Sequence, residues 1–202
     1  MIEVAVIDYG AGNIGSLINS LRYLNVKPVV ISEPSKTNYS HIILPGVGSF
    51  GKLSKNLRKS NLNEYIYENL KKGNNLLGIC VGMQLIFQES EESSGEKGLG
   101  IIEGKLEKIF HTETKMPLPH VGFSKVINSN SKLFKNIHEN PYFYFIHSYC
   151  LKKAPEKSNY CITEYVNKFI SFFEKDNIFG SQFHPEKSHK TGLKLIQNFL
   201  NL

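Results

Sequence analysis

Cysteine is scarce in this 202-residue sequence, and long apolar runs are missing from it. The cysteines number three, and none has the spacing of paired metal ligands, so we expect neither a disulfide framework nor a bound metal. No stretch approaches the roughly 18 apolar residues that a membrane-spanning helix needs. The first residues carry neither a basic leader nor an apolar segment of signal length, which predicts a cytoplasmic protein without a membrane partner.

The charge balance is basic, with a formal net charge of +6 and a pI near 9.1. Clustered Lys and Arg would favour a phosphate backbone as partner, but the lysines here are scattered along the chain. The densest stretch, residues 52–59, interleaves Leu53 and Leu57 at helical spacing, which is typical of the solvated face of an amphipathic helix. We therefore expect no nucleic-acid partner.

The order of strand and helix patterns predicts an α/β protein. In the first half, strand-like runs at 4–8, 28–32, 41–44 and 76–79 alternate with helical patterns at 15–24, 53–72 and 83–87, which indicates βαβ units and a parallel sheet. The second half has closely spaced strand-like runs, which predict antiparallel additions to the sheet. They lie at 104–110, 121–127, 142–149, 160–165, 169–174 and 178–183, before a closing helix at 193–200. With 41% apolar residues, a single domain over residues 1–202 is expected.

A glycine-flanked cysteine, Gly78-Ile79-Cys80-Val81-Gly82, follows a predicted strand and opens a helical segment. This is the setting of a nucleophile elbow, a strained turn at which side chains two positions away would collide with neighbouring backbone. The nearby helix N-terminus would favour the thiolate. A glycine-flanked buried cysteine is the competing interpretation, and the pattern by itself does not decide between them.

His184-Pro185-Glu186 lies between the last predicted strand and the closing helix. A cysteine nucleophile needs a base within hydrogen-bond reach, and that base needs a third group to orient it. Glu186 is placed to orient His184, although a surface loop would contain the same residues. Because this segment and Cys80 both follow strands at their carboxyl ends, where open α/β sheets place active sites, we predict that they converge.

Two glycine-rich loops follow other predicted strands. Residues 45–51 would aim backbone N–H groups at an oxyanion, with the N–H of Val81 as the second donor. Residues 10–15, GAGNIG, match a dinucleotide-binding fingerprint, with Glu33 after the second strand. A nicotinamide-binding protein is therefore a rival hypothesis, but it would leave Cys80 and the His-Pro-Glu segment without a role.

The remaining histidines and cysteines are expected to be structural. His120 and His147 lie in strand-like runs and are predicted to be hydrogen-bonded structural residues, while Cys150 and Cys161 are predicted core residues. Four further histidines have no partner pattern, so we expect them at the surface. They are His41, His111, His138 and His189.

The sequence resembles the class I, triad-type glutamine amidotransferases, and more narrowly the glutaminase subunits of imidazole glycerol phosphate synthases. The resemblance covers nearly the whole chain. The motifs that carry it are DYGAGN at 8–13, PGVGSF at 45–50, GICVGMQ at 78–84, FYFIHSY at 143–149 and FHPEKS at 183–188. Five motifs in the same order imply a flavodoxin-like three-layer α/β/α fold with a mostly parallel central sheet.

The resemblance also implies a reaction and a set of roles. Cys80 would attack the side-chain carbonyl of glutamine to form a thioester, with His184 and Glu186 completing the triad. The resemblance implies that the ammonia passes to a (β/α)8 synthase subunit in a heterodimer, which makes imidazole glycerol phosphate and an aminoimidazole carboxamide ribotide for histidine biosynthesis. No cofactor is implied. The implied oxyanion and glutamine-binding residues are Val47, Gly48, Val81, Gln84 and Ser148, and the implied partner-facing residues are Asn13 and Lys187.

The sequence departs from the family pattern after Pro119-His120. The family usually continues with Gly-Trp-Asn, whereas Gly122-Phe123-Ser124 stands here, and the chain has no tryptophan. Position 81 is Val where Leu is commoner in the family. These changes leave the triad intact but leave the ammonia acceptor open, and a surface-sugar amidotransferase is the alternative within the same chemistry.

Overall fold

The structure is a computed structural model that describes residues 2–12, 14–109, 116–127 and 130–202. The strands of these residues are β1 Glu3–Ile7, β2 Lys27–Ile31, β3 His41–Leu44, β4 Asn75–Ile79, β5 Glu89–Ser90, β6 Lys105–Lys108, β7 His120–Lys125, β8 Tyr142–His147, β9 Tyr149–Leu151, β10 Asn159–Glu164, β11 Lys168–Lys175 and β12 Ile178–Ser181. The helices are α1 Ile14–Tyr23, α2 Phe50–Lys59, α3 Leu62–Lys71, α4 Val81–Leu85 and α5 His189–Leu200, with 3-10 turns at Lys132–Phe134 and Pro185–Lys187.

The strands β2, β1, β3, β4 and β12 lie side by side in this order and run parallel. Nearly every residue of β1, β3 and β4 is buried. Since successive side chains of a strand point to opposite faces, both faces of this part of the sheet are covered by other layers. The edge strand β2 carries Pro28, a residue that a central strand would not tolerate. The predicted three-layer α/β/α fold is confirmed.

The helices bury apolar residues spaced one turn apart. Leu17 and Leu21 of α1 are buried, as are Leu53 and Leu57 of α2, which confirms that the lysines of residues 52–59 lie on a solvated helix face. The single amphipathic stretch predicted at 53–72 is in fact two helices. The chain breaks at Asn61, whose φ of +57° is left-handed, a conformation that Asn tolerates better than most residues.

The antiparallel additions of the second half are confirmed in part. β11 pairs antiparallel with β12, β9 and β10, and β6 pairs antiparallel with β9. However, β12 is parallel to β4. A tight turn at Asp176, with φ +54°, reverses the chain after β11, so β12 runs in the direction of the parallel strands and lies beside them. β7 and β8 form a separate two-stranded sheet. The run predicted at 142–149 is therefore split at Ser148, since β8 and β9 belong to different sheets.

The expectation for His41 was wrong. His41 begins the central strand β3, where it is 6% exposed, and its ring packs edge-on against Phe199 of α5 with centroids 5.1 Å apart. Nδ1 lies 2.9 Å from Ser40 Oγ, and burial lowers the pKa of this histidine. Its flanking residues did not reveal that its strand is central. His138 and His189 are exposed as expected, and His111 lies outside the described residues.

No helix in the described part of the chain combines the length and the apolar character that crossing a membrane requires.

Candidate active site

Cys80 lies on a strained turn between β4 and α4. Its backbone has φ +53° and ψ −112°, a region that non-glycine residues rarely occupy and that occurs mostly at functional sites. The side chain is 3% exposed. The sulfur lies 3.8 Å from the carbonyl oxygen of Ile146 and 3.8 Å from Gln182 Nε2.

The two glycines that flank Cys80 are required by close backbone contacts. A Cβ atom at Gly82 would lie 1.8 Å from the carbonyl oxygen of Leu44, and one at Gly78 would lie 2.7 Å from the Cα of Met83. Side chains at these positions would therefore force the backbone apart. This is the collision that the glycine spacing predicts for a nucleophile elbow.

The His-Pro-Glu segment follows β12 and turns through a 3-10 turn. The N–H of His184 donates to the carbonyl oxygen of Tyr144 at 2.8 Å, and the Ser188 hydroxyl donates to the carbonyl oxygen of His184 at 2.6 Å. These bonds fix the backbone on both sides of the imidazole. The Nδ1 atom of His184 lies 2.7 Å from Glu186 Oε1, so the carboxylate is in contact with the ring, and its orienting role stays a prediction.

The neighbours of His184 raise its pKa against the effect of burial. The ring is 1% exposed, and burial alone would lower its pKa. The negative charge of a Cys80 thiolate and the Glu186 carboxylate outweigh that effect and raise the pKa of His184 to about 10. The buried Nε2 atom has no hydrogen-bond partner among the described residues, so it is available to a reacting group.

Cys80 and His184 line one cavity of about 240 Å³. A cavity of this size suits a ligand as large as an amino acid. Every residue predicted to bind glutamine or its oxyanion also lines it. These are Val47, Gly48, Val81, Gln84 and Ser148. The predicted residues are thus brought together, while their individual roles stay predictions.

One of the backbone donors expected at the oxyanion, the N–H of Val81, already has a partner in this structure. The N–H of Val81 donates to the carbonyl oxygen of Gly46 at 3.4 Å, a separation longer than the usual range for such a bond. The glycine-rich loop at 45–51 packs closely on the turn at Cys80. A Cβ atom at Gly46 would lie 2.4 Å from the nitrogen of Gly82.

The glycine-rich segment at 10–15 is hydrogen-bonded to the glycine-rich loop at 45–51. The N–H of Gly12 donates to the carbonyl oxygen of Val47 at 3.0 Å, and the Tyr9 hydroxyl donates to the carbonyl oxygen of Pro45. Burial and the charge of Cys80 raise the pKa of Tyr9 above its ordinary range. An N–H that a dinucleotide phosphate would need is therefore already used, which weakens the nicotinamide hypothesis.

His120 and His147 are buried and hydrogen-bonded to each other, as expected. His147 Nδ1 lies 2.9 Å from the carbonyl oxygen of Tyr149, an atom that only accepts, so Nδ1 carries the hydrogen. His147 Nε2 then accepts from His120 Nδ1 at 3.1 Å. Burial lowers the pKa of His120 to about 4 and that of His147 to about 3, so both rings are neutral. The Ser124 hydroxyl, 2.8 Å away, donates to His120 Nε2.

Several residues of the site were missed by sequence reasoning. Glu92 lines the cavity although its segment reads as a polar surface loop, and its carboxylate accepts the N–H of Phe50 at 2.8 Å. Gln182, directly before the FHPEKS motif, contacts the Cys80 sulfur. Its position two residues before His184 was the only available signal. Cys150 and Cys161 are buried, as predicted.

One face of the β7–β8 sheet is apolar and exposed. We call it the outer face, and its apolar residues are Val121, Phe123, Tyr142, Tyr144 and Ile146, which the strand register places together with Lys125 at one end. Tyr142, Val121 and Phe123 are 58%, 53% and 46% exposed. Lys187 extends beside it, with Nζ 5.7 Å from the centre of the Tyr144 ring. Asn13, the other residue expected to face a partner, lies outside the described residues.

Solved structures share this fold. The structure of a glutamine amidotransferase matches with a TM-score of 0.75 at 16% identity, covering 98% of this chain and 97% of that one. The structure of PurLQS from Thermotoga maritima matches with a TM-score of 0.75 at 20% identity, covering 99% and 98%. A sequence profile of the family described as "Glutamine amidotransferase class-I" matches residues 5–202. The chain therefore belongs to the class I glutamine amidotransferases.

Within this class, the curated relatives are named "Imidazole glycerol phosphate synthase subunit HisH". The protein of Methanocaldococcus jannaschii is 43% identical over 98% of this chain and 99% of its own length. Those of Pyrococcus furiosus and Chlorobium chlorochromatii are 41% and 38% identical, over 100% and 98% of this chain and the whole of their own length. The narrower resemblance seen in the sequence motifs is thereby confirmed.

Proposed function

We propose that this protein hydrolyses glutamine to glutamate and ammonia through a thioester on Cys80, and that the ammonia passes to a synthase partner. The observation that carries the proposal is the order of the groups. Glu186 Oε1 lies 2.7 Å from His184 Nδ1, and the unpartnered Nε2 side of the same ring lines a cavity with Cys80. A nucleophile, a base and an orienting carboxylate in this order are the requirements for acyl transfer.

The reaction follows from the charges of the site. The Cys80 thiolate attacks the side-chain carbonyl carbon of glutamine, and the resulting tetrahedral intermediate collapses by breaking its C–N bond. The His184 imidazolium gives its proton to the departing nitrogen, which leaves as ammonia. A water molecule then attacks the thioester while His184 removes its proton. Glutamate is released, and the sulfur and the ring return to their starting states.

The cavity residues supply binding and charge stabilisation in this proposal. The backbone N–H groups of the loop around Val47 and Gly48, together with that of Val81, stabilise the oxyanion of each tetrahedral intermediate. Gln84 and Ser148 hold the substrate. Since the Val81 N–H is shared with Gly46 at 3.4 Å, it must leave that long bond to serve the oxyanion. Residues 1–202 act in this scheme as one amidotransferase domain.

The relatives' name supports a partner subunit and a pathway. We propose a cytoplasmic heterodimer with a (β/α)8 synthase subunit, which uses the ammonia to make imidazole glycerol phosphate and an aminoimidazole carboxamide ribotide in histidine biosynthesis. The outer face is the docking surface in this proposal, with Lys187 beside it, and Asn13 is kept as a partner-facing residue on the resemblance of its motif alone. Ile146 supports this placement because it belongs to the outer face and also lines the cavity, so ammonia is released next to the docked subunit.

The departures at positions 123 and 124 do not favour the surface-sugar acceptor. Ser124 keeps a hydrogen bond to His120, 2.8 Å away, and Phe123 keeps an aromatic ring on the outer face, where it stacks on His189 with centroids 5.3 Å apart. The relatives' name supports the histidine pathway, so we retain that acceptor.

The test uses the reconstituted complex with its cognate synthase subunit. In Cys80→Ala, turnover with glutamine should fall to background, because no nucleophile remains, while turnover with ammonium salts should match the wild type. Cys150→Ala is the matched control, since this cysteine is buried away from the cavity, and it should keep both activities. Retention of glutamine-dependent turnover by Cys80→Ala would contradict the proposal, and loss of both activities in the control would show that the assay reports folding.

A further inference from the structure

Gln182 contacts the nucleophile from behind the cavity. It follows β12 and is fully buried, at 0% exposure, so it is not positioned to touch a bound substrate. Its Nε2 atom lies 3.8 Å from the sulfur of Cys80, within reach of an N–H···S hydrogen bond. The carbonyl oxygen of Ile146 also lies 3.8 Å from the sulfur, and the His184 ring interacts with the sulfur from the cavity side.

The orientation of the Gln182 amide is determined by its neighbours. The carbonyl oxygen of Tyr149 can only accept, so the atom of Gln84 that lies 3.0 Å from it must be the nitrogen. The same nitrogen lies 3.1 Å from the Gln182 side chain, and a donor there requires the Gln182 oxygen to face it. The Gln182 nitrogen is therefore directed at Cys80, and a flipped amide would place two donors against each other.

We propose that Gln182 is a positioning residue that donates an N–H to the sulfur of Cys80 and favours its thiolate form. The proposal rests on the proposed function in taking Cys80 as the nucleophile. Once the thiol loses its proton, the carbonyl oxygen of Ile146 has no hydrogen to accept and faces a negative sulfur. The Gln182 N–H then becomes a buried donor to the thiolate on the side away from His184, and a hydrogen bond to a charged group favours that charged form.

Other titratable groups also face the sulfur. His184 approaches from the segment after β12, and Tyr9 approaches from the loop after β1. Glu92 and His147 line the same cavity. A pH profile of the wild type alone would combine all of these influences. The effect of Gln182 must therefore be measured as a difference between variants in which the other groups are unchanged.

The experiment measures the rate of alkylation of Cys80 by iodoacetamide across pH, with the modified peptide identified by mass spectrometry. In Gln182→Met, which keeps the length of the side chain but removes the donor, the rate at neutral pH should fall about tenfold and the midpoint of the profile should rise by about one pH unit. Gln84→Met removes the N–H that donates to the Gln182 oxygen, so the Gln182 amide is held less firmly in its orientation. The midpoint should therefore shift in the same direction by a smaller amount.

Ser171→Ala is the matched control. The carbonyl oxygen of Ser171 accepts the backbone N–H of Gln182 at 2.9 Å, and its buried hydroxyl has no hydrogen-bond partner in the described part of the chain. Removing that hydroxyl alters the same buried region without touching the sulfur, so the profile should remain that of the wild type. A shift in the control as large as that of Gln182→Met would overturn the proposal, because general loosening of the region would then explain both.

An unchanged midpoint in folded Gln182→Met also overturns the proposal. If that variant does not fold, Gln84→Met decides, and an unchanged midpoint there has the same meaning. Failure of the proposed function is a separate result. It would appear as a wild-type complex that does not hydrolyse glutamine, whereas the alkylation profiles would still report whether Gln182 acts on the sulfur.

Discussion

The parallel and antiparallel parts of the main sheet hold the site by different means. In the parallel part, Cys80 is positioned by the backbone, with φ +53° at the turn and Gly82 packed directly on the carbonyl oxygen of Leu44. On the other side β12 joins the two parts, being parallel to β4 and antiparallel to β11. There His184 is positioned by hydrogen bonds and charge, through Tyr144, Ser188 and Glu186. Backbone sterics therefore position Cys80, the proposed nucleophile, and hydrogen bonds and charge position His184, the proposed base.

The largest effect on glutamine turnover in this comparison is expected when the charge beside His184 is removed. Glu186→Gln keeps the shape of the side chain but removes its charge and turns one oxygen into a donor, which should cost at least about a hundredfold in glutamine turnover. The loss should still be smaller than that of Cys80→Ala. Kinetics of glutamate release by the complex measure both, and equal losses would contradict the roles assigned here.

The second-largest effect is expected from the close backbone packing around Cys80. Gly82→Ala would place a Cβ 1.8 Å from a carbonyl oxygen, so urea unfolding should show a loss of at least about 2 kcal/mol in the free energy of unfolding. Gly15→Ala is the control, because nothing lies within 4 Å of a Cβ there, and in helix α1 it should gain up to about 1 kcal/mol. If the two variants were equally stable, the elbow would not depend on close packing.

The interaction between the charges of Cys80 and His184 should be visible in the titration of His184. His184 has its pKa raised to about 10, against the burial that would lower it, by the thiolate and by Glu186. Cys80→Ser removes the thiolate, so the pKa of His184 should fall. Imidazole resonances followed by NMR across pH should show His184 protonated through neutral pH in the wild type and losing its proton at lower pH in the variant. Identical titrations in the two proteins would mean that the sulfur and the ring do not interact.

The smallest effect concerns the outer face, which belongs to the separate β7–β8 sheet beside the His184 segment. Phe123→Ser should weaken binding of the synthase subunit about tenfold, as for the loss of one aromatic contact at an interface. Tyr160→Ser is the control, since Tyr160 is 42% exposed on β10 and does not belong to the outer face. Calorimetric titration gives both dissociation constants. Equal affinities of Phe123→Ser and the wild type for the synthase subunit would contradict the assignment of the outer face as the docking surface.

The elements with local signatures could be predicted from the sequence. The apolar runs of β1, β3 and β4 identify buried parallel strands because such strands are covered on both faces. The glycines around Cys80 identify a turn that excludes side chains. His184 and Glu186 identify a candidate orienting pair because only Pro185 separates them in the sequence. In each case the physical requirement falls on residues that are close in sequence.

The features that the sequence did not reveal depend on contacts between distant segments. The direction of β12 is set by its turn and by β4, about a hundred residues earlier in the chain. The contact of Gln182 with Cys80, and the burial of His41 against Phe199, join side chains whose own neighbours carry no signal. The separation of β7 and β8 from the main sheet depends likewise on partner choice, which strand patterns do not encode.

The most direct test of the account is covalent labelling by an electrophilic analogue of glutamine, such as a chloroketone, followed by peptide mapping. We expect one adduct, on Cys80, that forms more slowly when glutamine is present and does not form in Cys80→Ala. Cys150, whose pKa burial raises to about 12, should remain unmodified at neutral pH. An adduct on Cys150 or Cys161 with Cys80 unmodified, or labelling that glutamine does not slow, would contradict the convergence of Cys80, His184 and Glu186 on one glutamine site.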